Sequence, residues 1–349
     1  MKRLSFLVLG MLLSLMASVC YAQSTLVATL THGTNITSYY GSNALSSAYY
    51  DAVSGDVINL SGGTFNSVGI SKGITIRGTG IDYPIPTVIT GNFNINIPSD
   101  DTHKLTIEGI RFAGTTRSDI TMSGSFENPT FIKCQFNWQI KFDQNAAIQN
   151  ILFANCKLTD LYSMNLDGSC SAQFVNSLVT GFINSAPSTS SASFVNCILH
   201  DKGTLTAKSY ANSQLINCFL CYYSPNNNGN AKTTFALPTS SKGFNCVTIH
   251  YTAPYANAQG AFVDCTSVSS YGAVFKDFTG VYSDAQTFEL TDDAKTTYLG
   301  ADGEQAGLYG GLLPYTSTPS YPTITKMDVA KKTSADGKLS VDIEVSAAE

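Results

Sequence analysis

One short pattern returns along most of this chain: an aromatic or aliphatic residue, a spacer, asparagine, a small residue, then another apolar residue. It reads Phe153-Ala154-Asn155-Cys156-Lys157-Leu158 and Phe174-Val175-Asn176-Ser177-Leu178-Val179, and it continues as Phe194-Val195-Asn196-Cys197-Ile198-Leu199 and Leu215-Ile216-Asn217-Cys218-Phe219-Leu220. Degenerate copies precede these at Ile107-Glu108-Gly109-Ile110-Arg111-Phe112 and Phe131-Ile132-Lys133-Cys134-Gln135-Phe136. Others follow at Phe244-Asn245-Cys246, one residue short, and at Phe262-Val263-Asp264-Cys265. Aligned at the asparagine, the copies fall at 109, 133, 155, 176, 196, 217, 245 and 264, so most steps are 19 to 24 residues. A unit of that length cannot bury its own apolar face and must stack on its neighbours. The period suits one coil of a β-solenoid with three short strands and their turns. The leucine framework of leucine-rich repeats is absent, and helical repeats are longer.

The residues at the aligned position explain the turn. Asparagine, glycine and aspartate best tolerate a left-handed backbone. Asn155, Asn176, Asn196, Asn217 and Asn245 are expected to stack coil on coil, each side-chain amide bonding to the next. The flanking apolar residues should point inward as stacks of Phe and of Cys or Ser, with coils about 4.8 Å apart.

The opening stretch Tyr40-Gly41-Ser42-Asn43-Ala44-Leu45 leads to Ala52-Val53-Ser54-Gly55-Asp56-Val57-Ile58-Asn59-Leu60, then Gly63-Thr64-Phe65 and Lys72-Gly73-Ile74-Thr75-Ile76-Arg77-Gly78. With Gly300-Ala301-Asp302-Gly303 and Gly307-Leu308-Tyr309-Gly310-Gly311 near the other end, it resembles the pectin-lyase-like parallel β-helix superfamily, and more closely the secreted β-helix proteins of Bacteroidetes-type bacteria. The resemblance covers about residues 25–315 and implies an all-β, right-handed parallel β-helix. A short helix caps its N-terminal end, N-capped by Ser42 and with Ala44, Leu45, Ala48 and Tyr49 partly on one face. The resemblance says little about activity, because the fold carries lyases, hydrolases, adhesins and inert scaffolds.

The ends differ from this body. Lys2 and Arg3, the apolar run Leu4 to Val19, and Cys20-Tyr21-Ala22 read as a signal peptide over residues 1–22, too short and too early for a membrane span. The protein is therefore expected to be exported, to the periplasm, the outer cell surface or the medium, with no transmembrane segment. The β-helix domain is assigned to 23–315. Residues 316–349 are assigned to a linker through Pro319 and Pro322 and a β-hairpin. In the hairpin, Leu339, Val341, Ile343 and Val345 alternate with polar residues, and Asp336-Gly337 forms the turn. A lone hairpin is marginal in water, so this one is expected to dock on the body or on a protein partner. Residues 222–243, with Pro225 and Gly229, read as an inserted loop.

Composition narrows the function. Losing Lys2 and Arg3 takes the net charge from −5 to −7 and leaves only Arg77, Arg111 and Arg117. Such a chain lacks the basic stripe that nucleic acid requires. Cys134, Cys156, Cys197, Cys218, Cys246 and Cys265 share one repeat register and point the same way, which is poor disulfide geometry; they read as a buried ladder. Cys170 and Cys221 lie outside it and are the better candidates for a bridge or a free thiol. His32, His103, His200 and His250 are scattered and read as surface or turn residues, and no metal or cofactor site is expected.

The resemblance would imply, for pectate-lyase-like catalysis, an acidic calcium cluster beside an Arg or Lys base. For galacturonan hydrolysis it would imply a strand-borne Asp with an Asp pair, then His-Gly and Arg-x-Lys. None of these strings is present; Asp100-Asp101 and Asp292-Asp293 read as solvated turns. One column does stand out, four residues beyond the small ladder position: Gly114, Trp138, Asp160, Gly181, Asp201 and Tyr222. Stacked along an outer edge, Asp160 and Asp201 would lie two coils, about 9–10 Å, apart. That separation is near the upper end for inverting glycoside hydrolysis and makes the two the catalytic candidates. Trp138 and Tyr222 could stack on sugar faces, with His200 beside them, so the glycan-binding candidates are Trp138, Asp160, His200, Asp201 and Tyr222. The favoured reading is a non-catalytic β-helix that binds a polysaccharide, a cell-surface glycan or a protein partner along its outer face. The alternatives are a polysaccharide-degrading lyase or inverting hydrolase with an atypical site, and a structural spacer or adhesin.

Overall fold

The computed structural model describes residues 26–115, 118–159, 164–166, 168–180, 183–185, 190–201, 212–222, 232–234, 241–249, 251–253, 262–280, 282–318, 322–329, 336–338 and 340–346. The signal-peptide segment, Asp160 and His250 lie outside the described residues. The body is a parallel β-solenoid. One coil runs from Thr130–Ile132 to Gln135–Phe136, then Gln139–Phe142, Ala147–Gln149 and back to Ile151–Ala154 in the next coil. Stacking these segments builds sheets of twelve, ten and five strands along the axis. The first two strands of the twelve-stranded sheet, Val27–His32 and Asn35–Tyr40, form an antiparallel hairpin at its edge.

The aligned position is the corner between the twelve- and ten-stranded sheets. Gly109, Lys133, Asn155, Asn176, Asn196, Asn217, Asn245 and Asp264 all have positive φ, between 46° and 67°. This is the left-handed turn expected from their identities. Each turn aims its own N–H up the stack: Asn155 N donates to Val175 O at 3.0 Å and Asn176 N to Val195 O at 3.0 Å. The corner is therefore held by backbone bonds between coils.

The interior follows from alternation on either side of the corner. Phe131, Phe153, Phe174 and Phe194 are register partners, with stacked rings 5.1, 4.8 and 4.8 Å apart, all fully buried. Cys134, Cys156, Cys197, Cys218 and Cys246 line the inside of the turn as free, buried thiols, and each donates to a carbonyl of an adjacent coil, as Cys156 does to Phe131 O at 3.4 Å. Ser177 takes the same place and bonds Phe153 O at 3.2 Å. Cys170 and Cys221 are also buried and free, so they form no bridge to one another. The short copy at Phe244 resolves by register. Asn245 keeps the corner, so Gly243 occupies the Phe column opposite Leu215 and Phe262. Phe244 falls in the outward column and is half exposed, while the Phe262 ring fills the space over Gly243, 2.6 Å from where a Cβ would stand.

The N-terminal end is closed by the helix Ala44–Asp51, which buries Ala44, Leu45, Ala48 and Tyr49. Its N-cap is Asn43 rather than Ser42, and no side chain caps it. At the other end the chain leaves the coils, forms a short module from Tyr271, and packs Phe275, Phe278, Phe288 and Leu290 on the outward face of the ten-stranded sheet, against Leu178, Ile198, Phe219 and Val247. Asp292 and Asp293 begin a helix here, Asp292–Thr297, which Thr291 caps by accepting from Ala294 N at 3.2 Å, so they are helix-start residues and not a loop pair.

The chain then runs back along the corner as a strap, and this changes the role of the asparagine column. Among the described residues, only Asn245 bonds another corner amide, donating to Asn217 Oδ1 at 2.9 Å. Asn176 Nδ2 instead donates to Leu308 O at 2.7 Å and Gly310 O at 2.8 Å. Asn155 donates to Leu313 O at 3.1 Å and accepts from Thr316 N at 2.7 Å. Lys133 Nζ reaches Thr318 O at 2.6 Å, so the strap continues three residues into the stretch assigned to the linker. The expected amide-to-amide ladder is thus largely replaced by amide-to-strap bonds, because the strap carbonyls lie directly over the corner. The Gly-Leu-Tyr-Gly-Gly string now has a reason: Gly307 and Gly311 have positive φ, and a Cβ would strike the Phe219 ring at 2.7 Å in the first case and the Asn196 amide in the second. Beyond the strap, Thr323–Val329 and Val341–Ser346 pair only with each other, as a separate two-stranded sheet with Gly337 in the turn region.

Candidate functional site

The register carries one step of the column on which the candidate residues were placed, the pair Asp201 and Tyr222. Gln135, Lys157, Leu178, Ile198 and Phe219 are successive partners, and three residues further along Asp201 pairs with Tyr222. Trp138 stands at a bend just past the strand Gln135–Phe136, with 37% of its surface exposed. Its N–H donates to the buried carboxylate of Asp119 at 2.6 Å, whose other oxygen accepts from Gly114 N at 2.6 Å. That carboxylate ties the two coils together and presents Trp138 outward. Asp160 lies outside the described residues, as do the side chains of Asp201 and Tyr222. His200 is different from expectation. It is 1% exposed, its Nε2 lies 3.1 Å from Gly280 O, and its ring meets Phe278 edge-on at 5.3 Å. Covered by the C-terminal module, it is a buried packing residue and is removed from the glycan-contact set.

A cleft that the sequence did not single out lies on the same outer face. The outward column of the ten-stranded sheet is polar at Arg111, Gln135 and Lys157, then apolar from Leu178 onward. The C-terminal module covers the apolar part. The polar part is met from the other side by the loop of residues 79–86, anchored where Arg111 Nη2 donates to Ile81 O at 2.8 Å. Where loop and module approach, they leave a cavity of about 280 Å³ lined by Asp82, Lys157, Asp284, Gln286, Thr287, Phe288, Tyr309, Tyr315 and Ser317. Such sites are concave, largely apolar, and carry a few polar groups that orient a ligand.

Its polar groups make three separate contacts. Lys157 Nζ sits 3.3 Å from Asp82 Oδ1 and 5.8 Å from the centre of the Tyr315 ring. Tyr282 donates to Asp284 Oδ1 at 2.6 Å, and Tyr309 donates to Thr287 O at 2.7 Å. The Tyr315 hydroxyl is buried and has no hydrogen-bond partner among the described residues. Burial, then the charges of Glu289, Asp277 and Asp82, push the Tyr309 phenol up to about 12. Burial and the Asp284 bond raise Tyr282, with the charges of Asp284 and Asp82 adding to them. Burial and the Asp82 charge raise Tyr315. All three phenols are held as neutral hydrogen-bonding groups in a negative field.

One further acidic group is structural. Asp101 accepts from Ser54 Oγ at 2.5 Å, Gly73 N at 2.8 Å and His103 N at 2.9 Å, joining three segments. Burial opposes its charge, but these bonds outweigh burial and hold the carboxyl at about 2. A carboxyl lowered on folding stabilises the protein above its ordinary pKa of 3.8, and that contribution disappears as pH falls through about 2. Chemical denaturation between pH 5 and 2 should show stability falling with acid, and Asp101→Asn should be less stable at pH 5 with a flatter acid limb. An unchanged slope in the variant would show that Asp101 does not drive the acid response.

Among the described residues, no cluster of three or more His, Cys, Asp or Glu side chains is placed to hold a metal ion, and no helix is long and apolar enough to cross a membrane. Compared with known proteins, the chain matches no family model, no curated protein and no solved structure. Two signals pointed to the cleft. Ile76 and Ile107 are register partners 31 residues apart, well beyond the usual step, and the excess is the loop that carries Asp82. Tyr282, Tyr309 and Tyr315 crowd a segment with no repeat period.

Proposed function

We propose that this chain is an exported, non-catalytic parallel β-helix protein that binds glycan on its outer face, with the cleft beside Lys157 as the main contact. The observation that carries the reading is the lining of that cleft. The partly exposed rings of Tyr309 and Tyr315 line it together with Asp82, Asp284 and Gln286. Aromatic rings bury the apolar face of a sugar while planar polar groups bond its hydroxyls. Trp138, partly exposed, is proposed as a further aromatic contact. Export rests on the charged and apolar leader, Lys2 to Ala22. Membership of the pectin-lyase-like superfamily rests on the first coils and the corner asparagines. The terminal hairpin, paired only with itself, is proposed as a protein contact.

The test is calorimetric titration of the mature chain with a polysaccharide panel, each mixture assayed for new reducing ends. We expect saturable binding without new ends, a loss of about tenfold in affinity for Tyr309→Ala, corresponding to ~1.4 kcal/mol, and a smaller loss for Trp138→Phe. New reducing ends would make the protein an enzyme and bring Asp160 and Asp201 forward for mutation. An absence of binding to every glycan would sink the reading in favour of a protein-contacting scaffold.

A further inference from the structure

The charge balance of the cleft separates classes of sugar. Asp82 and Asp284 line it against a single ammonium, Lys157, which is already engaged at 3.3 Å by Asp82. Asp284 is exposed, has one oxygen occupied by Tyr282, and has no ion-pair partner among the described residues. The Asp82 charge helps raise the phenols of Tyr282, Tyr309 and Tyr315, and Asp284 adds to the rise at Tyr282, where Arg111 opposes it. A uronate brought into this site would face two carboxylates and, among the described lining residues, no cation but the Asp82-engaged Lys157, and like charges at such range are repulsive. A protonated amine would meet the free Asp284 carboxylate in a charge-assisted hydrogen bond, which is shorter and stronger than a neutral one.

We infer that the cleft selects a basic amino sugar, a hexosamine with a free amine, and rejects uronic acids. The inference rests on the glycan reading above and narrows it. The sugar ring packs against Tyr309, whose ring meets Tyr315 edge-on at 6.0 Å, its amine faces Asp284, and its hydroxyls meet Gln286 and Ser317. The buried Tyr315 hydroxyl, without a partner among the described residues, gains one.

The test is calorimetric titration of the mature chain with chitotriose, its N-acetylated counterpart and trigalacturonate, each at low and raised salt and with Asp284→Asn. That substitution keeps the shape and leaves an oxygen for Tyr282, and an unchanged melting temperature confirms that the variant is folded. We expect the free amine to bind at least about tenfold more tightly than the acetylated sugar, the difference being one charge-assisted contact worth ~1.4 kcal/mol. Its affinity should fall with salt and with Asp284→Asn, and trigalacturonate should not bind. Equal binding of the free and acetylated trimers, or an unaffected Asp284→Asn, overturns this inference and leaves glycan binding standing. Preferential binding of trigalacturonate overturns it as well. Failure of all three trimers, with other glycans still binding, rejects the amino sugar alone, while failure of every glycan rejects both readings.

Discussion

Phe174→Ala is expected to destabilise the protein by about 3–5 kcal/mol, the cost typical of removing a fully buried aromatic ring and leaving a cavity behind. The site leaves little room to collapse. Phe174 is 0% exposed, and its ring lies 4.8 Å from Phe153 below and 4.8 Å from Phe194 above. Both neighbours are fixed by backbone pairing in register, so neither coil can slide into the gap. Each stacked pair adds roughly 0.5–1.5 kcal/mol beyond area burial. In a solenoid each coil contacts only its neighbours, so a defect in the middle weakens two coil interfaces at once. Phe262 holds the same column near the end of the stack but is only partly buried, and Phe262→Ala should cost much less. Urea unfolding followed by far-UV circular dichroism and by Trp138 fluorescence measures both. Equal losses for the two variants would contradict the idea that the central ring stack carries the stability of the body.

The features legible in the sequence are those fixed inside one repeat. The left-handed corner at Asn155, Asn176 and Asn196 could be read because a positive φ selects a residue type wherever it occurs. The inward thiol column from Cys134 to Cys246 could be read because alternation and period together assign a face. The buried face of the first helix followed from the spacing of Ala44, Leu45, Ala48 and Tyr49. What could not be read depends on which segment crosses which. Nothing local to Asn176 says that its amide will meet Leu308 and Gly310, more than a hundred residues away, in place of the next asparagine. His200 sits in an outward strand position and would be exposed on a bare solenoid; it is buried because the module around Phe278 returns to cover it. The cleft is hidden for the same reason. Asp82, Lys157 and Tyr315 come from three distant segments, and only the first and last of these carry a composition unlike that of the coils. The edge hairpin Val27–Tyr40 went unread although Val27–His32 alternates, since that alternation is short and lies outside the repeat.

The strap makes the second large prediction, at Asn176. This residue does two jobs: its backbone holds φ at 46°, and its amide donates to two strap carbonyls while fully buried. Asn176→Ala removes both bonds and forces a Cβ-bearing residue without a local polar group into the left-handed region. Stranding buried carbonyls costs about 1–3 kcal/mol, and the left-handed backbone adds roughly 1–2 kcal/mol for an L-residue of this kind. A total near 3–4 kcal/mol is therefore expected. Asn176→Gly separates the two effects, since glycine takes this φ freely but still loses the strap. The glycine variant should recover about 1 kcal/mol of the alanine loss and remain well below the native protein. Limited proteolysis gives an independent readout, because residues 299–318 should become cleavable in both variants before the coils themselves are cut. If glycine instead restored native stability and native protection of the strap, the corner amides would contribute nothing to docking it. The strap would then be held by the apolar cluster that contains Leu308, Phe219 and Leu178, by the Gly307 N bond to Asn217 O and by Lys133 on Thr318 O.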